Sequence, residues 1–139
     1  MTVRPAPGVL KLLAEARSAE KAQALFYRGL AADAEDRGDA ALAERLNGLH
    51  ADEQHHLSRL TARLVELEQR LENLDDISTP FRDLASWEHS ARRREREEIG
   101  RYERLLGEQL DAKTRSMILA FLEAERLHES ELGGKWMGA

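Results

Sequence analysis

The sequence predicts an all-α protein with four helices arranged as two hairpins. Charged residues make up 34% of the chain and aromatic residues only 5%, and a composition rich in Ala, Leu, Glu and Arg favours helix over sheet. Four stretches carry apolar residues at three-to-four spacing, with turn signals between them. The 139 residues, 42% of them hydrophobic, suit one core. We therefore expect one domain over residues 1–139, folded as a four-helix bundle.

The first helix is expected at about residues 9–37, after the segment Pro5-Ala-Pro7-Gly8. Its apolar stripe consists of Leu10, Leu13, Ala24, Tyr27 and Ala31. Gly38 ends this helix, and Asp39 is a favourable N-cap for the next one. Because the loop between them is so short, the first two helices should form an antiparallel hairpin.

A long and regular series of leucines predicts the second helix, at about residues 40–73. The series is Leu42, Leu46, Leu49, Leu57, Leu60, Leu64, Leu67, Leu71 and Leu74. No helix breaker lies between Leu57 and Glu72. The same leucines also fit a coiled-coil seam, so a non-enzymatic helical dimerisation or interaction module is an alternative interpretation.

The last two helices form the second predicted hairpin. Thr79-Pro80 supplies an N-cap followed by proline at the first helical position, which predicts a third helix at about residues 80–108. Its stripe is Phe81, Leu84, Ala91, Ile99, Tyr102 and Leu106. Asp111 can cap a fourth helix, at about residues 112–132, which Gly133-Gly134 stops. Residues 133–139 are expected to form a loose tail.

Polar side chains interrupt the apolar stripe near the middle of each helix. They are Glu20, Glu53, His56, Glu95, Glu125 and His128. Burying an unpaired carboxylate costs several kcal/mol, and a bound metal ion would offset that cost. A mixed set of carboxylates and imidazoles suits Fe, Mn or Zn better than Mg, Ca or Cu(I). The pattern therefore indicates a metal site inside the bundle.

Two of these helices carry the motif Glu-x-x-His, which places a carboxylate and an imidazole on adjacent turns of one face. In a chain this rich in glutamate the motif alone is weak, and surface ion pairs are the alternative interpretation. Its recurrence is more informative, because Glu125-x-x-His128 repeats Glu53-x-x-His56 in the second half of the chain. Glu20 and Glu95 have the same separation in sequence as the only two tyrosines, Tyr27 and Tyr102. The two hairpins therefore look like an internal repeat.

Taken together, Glu20 to Tyr27, Gly38, Glu53-x-x-His56, Glu95-x-x-Glu98, Tyr102 and Glu125-x-x-His128 resemble the rubrerythrin branch of the ferritin-like superfamily. The resemblance spans nearly the whole chain. It implies a ferritin-like bundle with two Fe ions in a carboxylate-bridged centre, or Mn or Zn in their place, that reacts with O2 or H2O2.

The resemblance also implies a role for each residue. Glu53 and Glu125 would bridge the metals, Glu20 and Glu95 would be terminal ligands, and His56 and His128 would each supply a nitrogen. Glu98 takes the place of an extra carboxylate ligand. Tyr27 and Tyr102 would hydrogen-bond ligand carboxylates.

The absence of cysteine excludes thiolate ligands and departs from full rubrerythrins, which carry a Cys-rich rubredoxin domain. A peroxidase or reductase cycle would therefore need an external electron donor. A Mn or Zn bundle with a structural role is a further alternative.

Charge and hydropathy limit the partners that the chain is expected to have. The net charge is -5 and the charges are interspersed, so no basic stripe indicates a nucleic-acid partner. The sequence contains no stretch of about 18 apolar residues that could span a membrane. It also has no apolar segment near the N-terminus of the kind that directs export. We expect a soluble, cytoplasmic protein.

The predicted second helix creates a geometric problem for this fold. An unbroken helix from Asp39 to Leu74 would be about 54 Å long, whereas five loop residues can return only about 17 Å. Either the helix breaks between Val65 and Asn73, or it delivers the second hairpin to another protomer. Because that segment contains no breaker, the sequence favours a homodimer with exchanged hairpins.

Overall fold

The computed structural model describes residues 5–133, which contain four α-helices and no strand. The helices are α1 (Pro7–Asp36), α2 (Ala40–Glu66), α3 (Trp87–Leu106) and α4 (Ala112–Glu131), and a single 3₁₀ turn at Leu84–Ser86 precedes α3. The predicted all-α four-helix bundle is confirmed. The expected tail lies, apart from Gly133, outside the described residues.

Helices α1 and α2 form the first hairpin through a tight turn. Gly38 has φ 75°, a left-handed conformation that glycine adopts without steric cost, and it reverses the chain. The Asp39 carboxylate accepts a hydrogen bond from the backbone N–H of Leu42 and so caps α2. The loop is very short, and α1 and α2 therefore pack side by side and antiparallel.

Helix α2 ends at Glu66, before its predicted end, and the expectation of a continuous helix to residue 73 was wrong. Glu68 adopts φ 60°, and its N–H bonds to the carbonyl of Val65. The N–H of Gln69 bonds to the carbonyl of Leu64. These two bonds form a Schellman motif, which terminates a helix. The motif has glutamate where glycine is usual, so no breaker in the sequence indicated it.

Residues 67–83 form a crossover that runs back along α1. Near its start, Arg17 donates a hydrogen bond to the carbonyl oxygen of Glu72, and near its end Arg82 pairs with Asp33. About 17 extended residues can reach about 56 Å, and α2 is about 40 Å long. The crossover therefore suffices to place α3 parallel to α2 within one chain. The extended α2 that favoured exchanged hairpins is absent.

Helix α3 begins at Trp87, later than the predicted position 80. Thr79 and Pro80 lie in the crossover, and Phe81 is 90% exposed instead of belonging to the core stripe. Asp83 caps the 3₁₀ turn by accepting from the N–H of Ala85, and Trp87 is the first buried residue of the helix. Asp111 caps α4, as its sequence position indicated, by accepting from the N–H of Thr114.

The apolar core consists of two clusters separated by a polar layer. Along α2, Leu46 and Leu49 belong to one cluster, and Leu60 and Leu64 to the other. Glu53 and His56 lie between these leucine pairs, in the polar layer. The leucine series is thus used inside the bundle, and the observation that motivated the coiled-coil alternative has an intramolecular explanation. Among residues 5–133, no helix combines the length and apolarity needed to span a bilayer.

Candidate metal centre

The polar layer at the centre of the bundle brings together side chains from all four helices. The glutamates Glu20, Glu53, Glu95 and Glu125 are fully buried, and His56 and His128 are only 4% exposed. Each occupies a position of its helix that faces the core, because it continues the apolar stripe on either side. The structure thus places the six residues that the sequence singled out in one layer.

These six residues form two overlapping clusters of potential ligand atoms. One cluster contains Glu20, Glu53, His56 and Glu125, and we call it the His56 position. The other contains Glu53, Glu95, Glu125 and His128, and we call it the His128 position. Within each cluster the ligand atoms lie within 4.8 Å of one another. Glu53 and Glu125 belong to both, which is the arrangement that a carboxylate-bridged metal pair requires.

The two tyrosines hydrogen-bond two of the buried carboxylates across the bundle. The Tyr27 hydroxyl on α1 donates a hydrogen bond of 2.7 Å to Glu95 on α3. In the opposite sense, the Tyr102 hydroxyl on α3 donates to Glu20 on α1. Burial, followed by the charges of neighbouring glutamates, raises the pKa of both tyrosines well above the usual value. Both hydroxyls therefore remain protonated donors near neutral pH.

Glu98 is buried in the same region but belongs to neither cluster. Its carboxylate accepts a 2.7 Å hydrogen bond from Arg101, one turn along α3. By the repeat that relates Glu95 to Glu20, the counterpart of Glu98 is Gln23, which our sequence analysis missed. Gln23 donates from its amide nitrogen to Glu95 at 3.3 Å, and its amide oxygen accepts from Arg94 at 2.7 Å. The repeat in the sequence was the signal that could have identified Gln23.

Many buried oxygen atoms of this layer have no hydrogen-bond partner among the described residues. Both carboxylate oxygens of Glu53 and both of Glu125 are in this state, as are one oxygen each of Glu20 and Glu95. The Nδ1 atom of His128 is also without a partner. Buried polar atoms are normally satisfied, and unsatisfied ones cost about 1–3 kcal/mol each. Two divalent metal ions would coordinate these atoms, so the residues present fit such a pair.

Electrostatics in the layer agree with a site for cations. Burial, together with repulsion from the neighbouring glutamates, raises the pKa of Glu53 well above its usual value. Burial also raises the pKa of Glu125. For His128 burial acts in the opposite direction, but the hydrogen bond to Asp52 and the close carboxylates of Glu125 and Glu95 outweigh it and raise the pKa to about 12. Protons and divalent cations therefore compete for the same oxygen and nitrogen atoms.

The two histidines have different surroundings. The Nδ1 atom of His56 lies 3.1 Å from Glu20, and its ring packs against Phe121 with centroids 4.3 Å apart. The Nε2 atom of His128 lies 2.8 Å from a carboxylate oxygen of Asp52. Asp52 is the second residue that our sequence analysis missed. Its position directly before Glu53, at the edge of the polar face, was the available signal.

Comparisons with known proteins agree with this geometry. The rubrerythrin family model matches residues 11–133. Among solved structures, the chain is similar to the one described as the crystal structure of M. penetrans ferritin, with a TM-score of 0.75 and 19% sequence identity. The match covers 94% of this chain and 84% of that chain, and it confirms the ferritin-like fold. None of the curated protein sequences gives a significant match to the chain.

The family match includes both hairpins, both Glu-x-x-His motifs and both tyrosines, so it covers every residue of the two clusters. A metal-binding carboxylate layer inside a ferritin-like bundle is consistent with that match. The chain belongs to the rubrerythrin family.

Proposed function

We propose that this protein is a di-iron carboxylate protein, which binds Fe(II) and oxidises it with oxygen or peroxide as a ferroxidase or rubrerythrin-like oxidoreductase. The observation that carries the proposal is that Glu53 and Glu125 belong to both clusters and leave all four of their oxygens without hydrogen-bond partners. A carboxylate whose two oxygens are both free can bind two metal ions, one through each oxygen. Glu20 with His56, and Glu95 with His128, would then complete the two positions.

Charge balance supports a pair of divalent ions. Glu20, Glu53, Glu95 and Glu125 together carry four negative charges when ionised, which two divalent ions neutralise. The charge of a fifth buried carboxylate, Glu98, is balanced by Arg101 at 2.7 Å. A buried cluster with uncompensated charge would be strongly destabilising. With both histidines neutral as ligands, two divalent ions would therefore match the four remaining negative charges.

The ligand types favour a metal that changes its oxidation state. Carboxylate and imidazole donors suit Fe, Mn and Zn, and the family assignment favours iron among them. A pair of iron ions, when bound, supplies two electrons, the number needed to reduce peroxide to water. Reuse of the site then needs an external electron donor, since the chain contains no cysteine for a rubredoxin centre.

The protein's own residues would orient and protect this site. Tyr27 and Tyr102 hold Glu95 and Glu20 in place with hydrogen bonds from opposite sides. The two apolar clusters on either side of the layer limit the access of water. A groove between α2 and α4 has a volume of about 290 Å³ and reaches His56 and His128. Small oxidants such as O2 or H2O2 can approach the layer through this groove.

An anaerobic Fe(II) titration followed by exposure to air tests the proposal. We expect about two Fe(II) ions per chain, followed by oxygen uptake and a ferric absorption band. Glu53→Gln and His56→Ala should each abolish or strongly reduce both signals. Glu44→Gln is the matched control, because Glu44 is an exposed acid on the same helix that belongs to neither cluster. Wild-type protein that binds no iron would contradict the proposal.

Two further outcomes separate the alternatives. Stoichiometric binding of Mn or Zn, with no oxygen uptake by the iron-loaded protein, would indicate a structural metal site. Homodimerisation and a cytoplasmic location stay predictions from the sequence. A solution mass of about twice that of the chain, measured by light scattering at micromolar concentration, is the result expected for the dimer.

A further inference from the structure

The two halves of the metal layer are related by the sequence repeat, but their histidines are supported differently. Glu53 corresponds to Glu125, and His56 corresponds to His128, at one constant offset. Asp52 corresponds at the same offset to Ala124. The Asp52 carboxylate lies 2.8 Å from the outer nitrogen of His128, whereas alanine offers no such acceptor. The repeat is therefore broken at one specific contact.

The geometry at His128 is that of an imidazole held for coordination. Its Nδ1 atom faces the cluster, at 3.5 Å from Glu53, 3.5 Å from Glu95 and 3.4 Å from Glu125. Its Nε2 atom faces outward to Asp52. An N–H donated to a carboxylate fixes the tautomer in which the other ring nitrogen is free to bind a metal. Asp52 therefore holds the ring in both the orientation and the tautomer that a ligand needs.

The geometry at His56 differs on the same side of the bundle. The groove between α2 and α4 is lined here by His55, Arg59, Phe121 and Ala124. The ring of His56 packs on Phe121, and the guanidinium of Arg59 lies 5.4 Å from the centroid of the Phe121 ring. Among the described residues, no carboxylate from outside the two clusters hydrogen-bonds to His56. Aromatic packing, without a carboxylate from outside the clusters, thus supports this ring.

We infer that Asp52 is a positioning residue for His128 and that it strengthens metal binding at the His128 position only, so that the two positions are inequivalent. The inference rests on the proposed metal-binding function. Asp52 itself belongs to neither cluster, and it acts on the site through its hydrogen bond with the His128 imidazole. Removing a carboxylate that supports a histidine ligand typically lowers metal affinity about 10- to 100-fold. That loss should fall on one of the two ions.

Zn(II) titrations of protein labelled with ¹⁵N-histidine test this inference, because Zn(II) is diamagnetic and redox-inert. The ring signals of His56 and His128, assigned with His56→Gln and His128→Gln, report the occupancy of each position. For Asp52→Ala we expect apparent affinity at His128 to fall about 10- to 100-fold, with a much smaller change at His56. At one equivalent of Zn(II), the His56 signal should shift first in this variant.

Two further variants make the test specific. Asp52→Asn keeps an oxygen that can accept the imidazole N–H, so it should restore part of the affinity and the tautomer signature at His128. Glu44→Ala removes an acid from a neighbouring groove between α2 and α4, which Asp52 also lines, about two turns from Asp52, and should leave both positions unchanged. Partial recovery of affinity at His128 in Asp52→Asn, together with unchanged metal binding in Glu44→Ala, would exclude a general effect of charge.

The inference and the proposed function fail in different ways. Wild-type protein that binds no Zn(II) and no Fe(II) would contradict the metal-binding function and the inference with it. Wild-type protein that binds two ions, combined with an Asp52→Ala variant that weakens both equally or weakens neither, would overturn the inference alone. Circular dichroism of the metal-free variants checks that each is folded.

Discussion

The hydroxyl of Tyr27 on α1 donates a 2.7 Å hydrogen bond to the buried carboxylate of Glu95 on α3. This contact links the two hairpins through the polar layer itself. A second contact, from Tyr102 to Glu20, has the opposite direction. The pair of tyrosines therefore ties each hairpin to a buried carboxylate of the other.

Tyr27→Phe should destabilise the metal-free protein by about 1–3 kcal/mol, because a buried carboxylate oxygen loses a donor while the ring still fills its space. Denaturant unfolding followed by circular dichroism measures the change. Tyr102→Phe should have a comparable effect through Glu20. If both variants were as stable as the wild type, these hydrogen bonds would contribute nothing measurable to the bundle.

Metal ions should stabilise the fold, because the unfolded chain lacks the preformed layer. At a free metal concentration of about 100 times Kd the expected gain is about 2.7 kcal/mol for one site. Thermal unfolding with and without Zn(II) measures it. Glu53→Gln should remove most of the gain, and Glu44→Gln should preserve it. An equal shift in all three proteins would indicate nonspecific binding.

Asp111 should stabilise α4 in a way that depends on pH. Partial burial raises its pKa, but hydrogen bonds from Thr114 and the charge of Arg63 together outweigh burial and lower the pKa below its usual value. A lowered pKa means that the stabilisation is complete above the unfolded-state pKa of about 3.9 and is lost as the pH falls through the folded-state pKa.

Asp111→Ala should therefore cost about 1 kcal/mol at pH 7, and the difference from wild type should shrink below about pH 4. Asp111→Asn keeps the cap but loses the pairing with Arg63, and it should cost less at neutral pH. Unfolding free energies across this pH range provide the measurement. A difference in unfolding free energy that grew on acidification would contradict a lowered pKa of Asp111 in the folded protein.

Gly29 on α1 lies beneath the side chain of Arg82, which anchors the crossover to Asp33. A Cβ atom at this position would meet the Arg82 side chain at 2.8 Å, and Arg82 binds Asp33 through two hydrogen bonds of 2.8 and 3.1 Å. Gly→Ala inside a helix normally stabilises by about 1 kcal/mol. Gly100→Ala should show that gain, because a Cβ at position 100 meets nothing within 4 Å.

Gly29→Ala should gain less than Gly100→Ala, because the Arg82 guanidinium must shift away from Asp33. In an Arg82→Ala background the full gain should return. A double-mutant cycle between positions 29 and 82, measured by chemical unfolding, isolates the coupling. Equal gains at positions 29 and 100 in the wild-type background would contradict the contact.

Glu68 is expected to be a site where glycine stabilises the protein. Its φ of 60° places a residue with a side chain in the left-handed region, which costs about 1–2 kcal/mol. Glu68→Gly should therefore raise the unfolding free energy by about 0.5–1 kcal/mol after the entropy cost of glycine. Gly38→Ala, at φ 75°, is the reverse substitution and should destabilise by a similar amount. Thermal unfolding of both variants checks the pair.

The sequence by itself determined the class of fold and the residues of the polar layer. Helical periodicity is a local property, so polar residues on an apolar stripe identify core positions before any packing is known. The internal repeat then paired Glu53 with Glu125 and Glu20 with Glu95, and the structure brings these residues together in the two clusters.

Only the tertiary structure decided where α2 ends and how the two halves of the layer differ. Glu68 adopts a left-handed conformation without the local signal of a glycine, because packing of Leu67 and Leu71 on the core and the path of the crossover along α1 favour the turn. The contact between Asp52 and His128 joins residues that are far apart in the sequence, on α2 and α4. Such a contact depends on helix packing, which no local pattern encodes.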